Sequence, residues 1–232
     1  MTSEAPRSRR ARPAKPPLSR EVILREARDI ARVEGVDGLT MRALAQRLDT
    51  GAAALYVYLR NRDEIITTLF DEALAEVPTP KEQCPSWSDE LLAFAVAAVD
   101  QLARWPGLAA SQLGRIPRGP AVFDAVEAVL ACLARGGVDI QRAALAADGL
   151  MLMIVAHAAE LDDATRAPGV LEDQIDATRT AMKGLDEDRH PTIRANIDAL
   201  LTPSPAQRVH WSLRAFINGV AGTPVPATSK ED

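Results

Sequence analysis

Between Leu39 and Ile65 the chain reads as two helices too short to stand alone, joined by a tight turn, and this pairing limits the possible fold more than any other stretch. Thr40 is a good N-cap for a helix whose apolar positions are Ala43, Leu44, Ala45 and Leu48. Asp49-Thr50-Gly51 supplies turn chemistry, because Gly relieves the steric limit on the backbone and Asp and Thr bond nearby backbone groups. Ala52 to Leu59 then makes barely two turns of helix, with Leu55 and Leu59 on one face. Helix nucleation is costly, so both helices must lean on helices before and after them. Their outer faces stay free. A helix pair with a Gly-containing turn and small residues leading its second member suits the major groove of DNA.

The flanks supply the support. Ser19 caps a helix with Ile23, Ala27, Ile30 and Ala31 on its apolar face, and Gly35 ends it. Asn61 followed by Glu64 makes a capping-box-like start for a helix bearing Ile65, Ile66, Leu69, Phe70, Ala73, Leu74 and Val77. Pro78 and Pro80 close that helix, which links a head at 19–77 to a body at 81–222. Residues 1–18 carry Arg7, Arg9, Arg10, Arg12 and Lys15 among four prolines and are expected to be a disordered basic arm. It serves either as a solubilising tail or as an arm along phosphates or in the minor groove.

Charge supports this division. The whole chain has a net charge of −5, but residues 1–62 hold 13 basic and 7 acidic residues against 14 and 25 in the remainder. A basic head on an acidic body fits a nucleic-acid-binding module joined to a separate domain. With 47% hydrophobic but only 4% aromatic residues, and no strand pattern, the fold class is all-α. In the body, Ser86 with Asp89 resembles a capping box for a very apolar helix reaching Leu102, and Trp105-Pro106-Gly107 stops it. Leu108 to Leu113 suits a short helix. Pro120 opens a helix that ends at Gly136-Gly137, and Asp139 caps a long one to about Leu161. Asp162 to Gly169 is expected to be mobile, 171–183 a modest helix and Ile193 to Leu201 a short one. Ser204-Pro205-x-Gln207 starts a last helix with the stripe Val209, Leu213, Phe216, Ile217 and Val220, and the tail 223–232 is expected to be disordered.

Two runs, Gly38-Leu39-Thr40-Met41-Arg42-Ala43-Leu44-Ala45 and Leu55-Tyr56-x-Tyr58-Leu59-x-Asn61-Arg62-Asp63-Glu64, resemble the N-terminal domain of tetracycline-repressor (TetR) family regulators over about residues 20–77. The resemblance implies an all-α homodimeric transcription regulator, usually a repressor that a small molecule releases from DNA. It departs from the family where the common His-Phe is Tyr58-Leu59, the common Lys is Arg62 and the usual Gly-Val of the turn is Asp49-Thr50. Tyr still donates to phosphate and Arg still pairs with it, but base preference does not carry over.

The DNA-binding candidates are Thr40, Arg42, Thr50, Gly51, Ala52, Ala53, Tyr56, Tyr58 and Arg62. The resemblance places Thr40, Tyr56, Tyr58 and Arg62 at phosphates and Arg42 at a base edge; Arg paired with guanine is the commonest specific contact. A solvated or phosphate-bound Arg42 and a core-packed Tyr56 are the alternatives. Ala52 and Ala53 have no side-chain donor, so they read only thymine methyls or admit the backbone closely. Helices at about 139–161 and 205–219 are candidates for a dimer interface, or for core alone.

Phe94, Trp105, Gln112, Met151 and His157 are candidates for an effector cavity, with a hydrophobic or aromatic small molecule as the ligand. Cys84 and Cys132 build no disulfide framework or metal spacing, and no cofactor or metal is expected. No Ser/His/Asp set or Gly-rich phosphate loop appears, which argues against an enzyme. The apolar run Gly149 to Ala159 is too short to span a bilayer, so a cytoplasmic protein with no membrane partner is expected. A DNA-binding head on a protein-interaction body, without a small-molecule ligand, is the competing expectation.

Overall fold

The computed structural model describes residues 17–81 and 86–226, and no strand occurs among them. Most of the basic arm, Cys84 and residues 227–232 of the tail lie outside the described residues. The head comprises α1 (Arg20–Val33), α2 (Gly35–Gly38), α3 (Met41–Arg47), α4 (Ala52–Leu55) and α5 (Arg62–Ala75). Its caps follow the sequence: Ser19, Thr40 and Asn61 accept from the amides of Val22, Ala43 and Glu64 at 3.2, 3.0 and 2.9 Å. Ile23, Ala27 and Ile30 of α1 are buried together with Leu44, Leu55, Leu59, Ile65 and Leu69. Arg28 pairs with Glu72 at 2.6 Å, flanked by Arg20–Glu64 and Arg32–Glu76 at 3.5 Å, which sets the register of α1 on α5. Such half-exposed pairs are worth only about 0–1 kcal/mol each, so they align helices that the core holds.

The body comprises α6 (Trp87–Leu102), a 3-10 turn at Ala110–Gln112, α7 (Pro120–Arg135), α8 (Ile140–Arg166), α9 (Pro168–Lys183), α10 (Pro191–Ala195), α11 (Ile197–Leu201) and α12 (Pro205–Val220). The apolar helix α6 is covered by α7, α8 and α12 and buries Leu91, Phe94, Ala95, Ala98, Val99 and Leu102. Ala143, Ala146, Leu150, Ile154 and Ala158 form the inner face of α8, their small side chains letting neighbouring helices approach. Buried Glu90 pairs with Arg135 of α7 and accepts from the Lys81 amide at 2.5 Å, which offsets the cost of burying its charge. The cap of α12 is a full capping box between Ser204 and Gln207.

Several boundaries differ from expectation. Ser86 stands at the N-cap of α6, but its hydroxyl pairs with that of Ser88 at 2.8 Å and makes no capping bond. α8 continues five residues past Leu161, because Asp162 is buried and bonded to the Gly107 amide at 2.7 Å and to Arg166 at 2.9 Å. Only Ala167 separates α8 from α9, so Asp162 to Gly169 is mostly helix rather than a loop. The helix expected over 193–201 is two, broken at Asn196, and Leu108–Leu113 holds only the 3-10 turn. None of the residues of α9, α10 and α11 whose burial is described is buried. The run Gly149–Ala159 is part of α8, which as a whole is long and apolar enough by composition to cross a membrane. Here it packs against α6, α7 and α12.

Candidate nucleic-acid interface

The turn before α4 is built by Asp49. Its amide donates to Gln46 O at 3.1 Å and the Thr50 amide to Ala45 O at 2.9 Å, the bond pattern that closes a helix through a left-handed residue. Asp49 has φ 49°, a conformation Asp tolerates better than most residues. Gly51, expected to serve the turn, has φ −80° and ψ 144°, open to any residue, and a Cβ added there meets nothing within 4 Å. Its bareness serves nothing inside the fold.

α4 is shorter than the eight residues expected. After Leu55 the amides of Tyr58 and Leu59 both donate to the Leu55 carbonyl, at 3.0 and 3.1 Å, and the helix tightens into a turn. Leu55 and Leu59 are buried anchors that force the intervening side chains outward. Ala52, Ala53, Tyr56 and Tyr58 are accordingly exposed, Tyr56 at 54%, which rules out core packing for that ring. Thr40, the cap of α3, and Arg42 in its first turn are exposed, Thr50 is half-buried, and Arg42 has no hydrogen-bond partner among the described residues. All nine candidates are thus exposed or half-buried, and eight of them make no side-chain hydrogen bond to a distant element among the described residues.

Arg62 is the exception. Its Nε donates to Leu39 O at 2.5 Å and its Nη2 to Val36 O at 2.6 Å, so the half-buried guanidinium braces the turn between α2 and α3. Two of its donors, Nε and Nη2, are thus taken up by backbone carbonyls. Arg25 and Arg60, absent from the candidates, are exposed and have no ion-pair partner among the described residues. Arg47, by contrast, faces Glu26 and Glu34 at 3.5 and 3.7 Å. Charge alone does not tell an inward Arg62 from an outward Arg60 two residues away.

The five effector candidates do not share one cavity. Phe94 and Met151 line a void of about 10 Å³ between α6, α7 and α8, at the lower limit for a single water. Trp105 is buried at the head junction, with the Arg32 guanidinium 4.5 Å from its ring centroid. Gln112 is buried in the 3-10 turn, donating to the Ser111 hydroxyl at 3.2 Å. His157 lies elsewhere, its Nε2 2.7 Å from the Ser212 hydroxyl, on an open cleft of about 690 Å³. That cleft is also lined by Glu160, Gln207, Arg208 and Trp211, residues the sequence pattern gave no reason to group. No cluster of metal-ligating side chains occurs among the described residues.

The family model for bacterial regulatory proteins of the tetR family matches residues 23–69, and that for the tetracyclin repressor-like C-terminal domain matches 79–220. A transcriptional regulator of the HTH type from Saccharopolyspora erythraea is 34% identical over 53% of this chain and 52% of its own, so that match spans about half of the relative. The tetracycline repressor protein class A from transposon 1721 of Escherichia coli is 27% identical over 88% of this chain and 91% of its own. The structure of the Streptomyces coelicolor TetR family protein ActR in complex with actinorhodin superposes with a TM-score of 0.80, at 29% identity, over 89% of this chain and 98% of that one.

Proposed function

The chain belongs to the tetracycline-repressor family of bacterial regulatory proteins, and from that premise we propose that it is a cytoplasmic repressor that binds a pseudo-palindromic operator as a homodimer and leaves it when a small molecule binds the body. It is a helix-turn-helix, DNA-binding transcriptional regulator and not an enzyme. The observation that carries the docking is the outward row Ala52, Ala53, Tyr56 and Tyr58, held in place by buried Leu55 and Leu59. Two such rows in successive major-groove faces would lie about 34–36 Å apart. Thr40, Tyr56 and Tyr58 serve as phosphate anchors, Arg42 reaches a base edge, and Thr50, Gly51, Ala52 and Ala53 approach the groove without reading much of it. Specificity is then partly a matter of DNA shape.

Residues 19–77 act as the DNA unit and 81–222 as the effector and dimer unit. The outer faces of α8 and α12, with Leu152 59% and Trp211 73% exposed, supply the self-complementary apolar surface. ActR bound to actinorhodin and the tetracycline repressor support small-molecule release for this chain. The cleft beside His157 and Trp211, with a wide indole face and a few polar groups, suits a hydrophobic or aromatic effector. Coupling of about 2.7 kcal/mol between the sites lowers operator affinity about a hundredfold. The void of about 10 Å³ in the bundle core favours a second reading, in which the body binds a protein instead. A metabolite that raises the melting temperature supports the first reading; a co-purifying protein with no responsive metabolite supports the second.

The docking is tested by recovering genomic fragments with the purified protein and titrating one at fixed salt. Arg42→Ala combined with Tyr58→Phe is expected to weaken binding about tenfold or more. Unchanged affinity would remove these residues from the interface.

A further inference from the structure

The head meets the body at a second place besides α5. The Val36 amide of α2 donates to Pro106 O at 2.8 Å, and the next amide along the body loop, Gly107, donates to the Asp162 carboxylate at 2.7 Å. The backbones interlock closely there. Gly35 has φ 78°, and a Cβ added to it would sit 3.3 Å from both the Cβ and the carbonyl oxygen of Pro106. Gly107 has φ 76° and faces Val36. Both positions favour glycine, for conformation and, at Gly35, for space as well. Beside them Arg32 lies over the Trp105 ring and pairs with Glu76, which accepts from Gln101 at 2.6 Å.

On the head side the bonds continue. Val36 O and Leu39 O both accept from Arg62, the first residue of α5, which directly follows the segment bearing Tyr56 and Tyr58. A continuous series of short bonds therefore joins α8 to the root of the DNA-facing segment without passing along α5. Asp162 is its far end. The residue is 3% exposed and stands in the last turns of α8, where a buried negative charge is disfavoured by both desolvation and the helix dipole. Arg166 offsets part of that cost at 2.9 Å. A carboxylate kept in so unfavourable a place is explained by what it holds, the Gly107 amide.

We propose that Asp162 is a positioning residue that clamps the Trp105–Gly107 loop under the head, so that a displacement of α8 reaches Val36 and Arg62 directly. The proposal rests on the reading of the chain as an effector-released regulator. α8 carries His157, five residues before Asp162, in the open cleft, and Leu152 on the outer face. Occupation of the cleft or association with a second copy therefore acts on the helix whose end holds the clamp.

The test compares Asp162→Ala, which removes the acceptor, with Asp162→Asn, which keeps one. Asp162→Ser, too short to reach the Gly107 amide, replaces the alanine variant if that protein does not fold. Two readouts are taken where far-UV circular dichroism shows every protein folded: hydrogen exchange at the Val36 amide, and affinity for a genomic fragment retained by the wild-type protein. Loss of a charge-assisted bond predicts exchange and dissociation constant both about tenfold higher in the alanine protein, with the asparagine protein within about threefold of wild type. The number of phosphate contacts should not change, so the salt slope should stay the same. A residue that only supports the body would lower the melting temperature and leave Val36 exchange and operator affinity at wild-type values, and that result overturns the proposal. If the wild-type protein retains no DNA fragment, the docking reading fails, while Val36 exchange still decides whether the clamp exists.

Discussion

In the head, Ile23, Leu44, Leu55, Leu59 and Ile65 are all buried among themselves, whereas α8 and α12 of the body keep Leu145, Leu152 and Trp211 in water. The contrast is not one of incomplete packing. α8 already buries Ala143, Leu150, Ile154 and Ala158 on its inner face, and α12 buries Val209, Leu213 and Ile217. Their outer apolar residues are therefore surplus to the core. A closed core lets the head present short side chains and tyrosines to a polar partner. An open apolar stripe on two adjacent helices calls for an apolar partner, and a second copy of the same stripe is the simplest one.

The largest expected effect breaks the open stripe. Leu152→Glu with Trp211→Glu should convert the protein to a monomer in sedimentation velocity and weaken operator binding at least about a hundredfold, since two linked heads gain that much over one. Thermal unfolding of the head should stay as it is. If the double variant still sediments and binds like the parent, the stripe is not the interface and the contrast between head and body has another cause.

The closed region is probed next by two arginines. Arg62→Ala removes charged bonds to two backbone carbonyls and should destabilise the protein by about 1.5–3 kcal/mol in denaturant titration. Arg60→Ala, on the exposed side, should change stability by less than about 0.5 kcal/mol. It should instead reduce the slope of log affinity against log salt by about one. Equal effects of the two would mean that inward and outward faces are not distinct there.

These two residues also show what sequence reading reaches and what it misses. The caps at Ser19, Thr40, Asn61 and Ser204 depend on partners three residues away, so local chemistry suffices to place them. Arg62 bonds carbonyls 23 and 26 residues distant, and nothing local says that it turns inward. α8 outruns its expected end for the same reason, since Asp162 is held by an amide 55 residues away. The cavity candidates lie apart for a different reason. A void is the space left between packed surfaces, and residue type says whether Phe94 or Met151 is buried, not whether room remains beside it. Met151 and His157 share α8, yet one lines a void of about 10 Å³ and the other a cleft of about 690 Å³.

The smallest effect separates what the turn requires from what the DNA requires. If Gly51 were needed for the fold, any side chain there would strain the backbone. Its φ of −80° and ψ of 144° are instead the extended geometry of an N-cap, with open space around the missing Cβ. Gly51→Ser should therefore stabilise the protein by about 0.4–1 kcal/mol, through a less flexible unfolded chain and a capping hydroxyl. The strained position is Asp49, where substitution by Gly relieves the left-handed backbone but loosens the unfolded chain by a similar amount, for a net change below about 1 kcal/mol. Operator affinity distinguishes the two sites. Gly51→Ser adds atoms where α4 is expected to approach the duplex and should weaken binding a few-fold while raising the melting temperature. A gain in stability with no loss of affinity would mean that the start of α4 stands clear of DNA, and that Tyr56 and Tyr58 carry the docking without it.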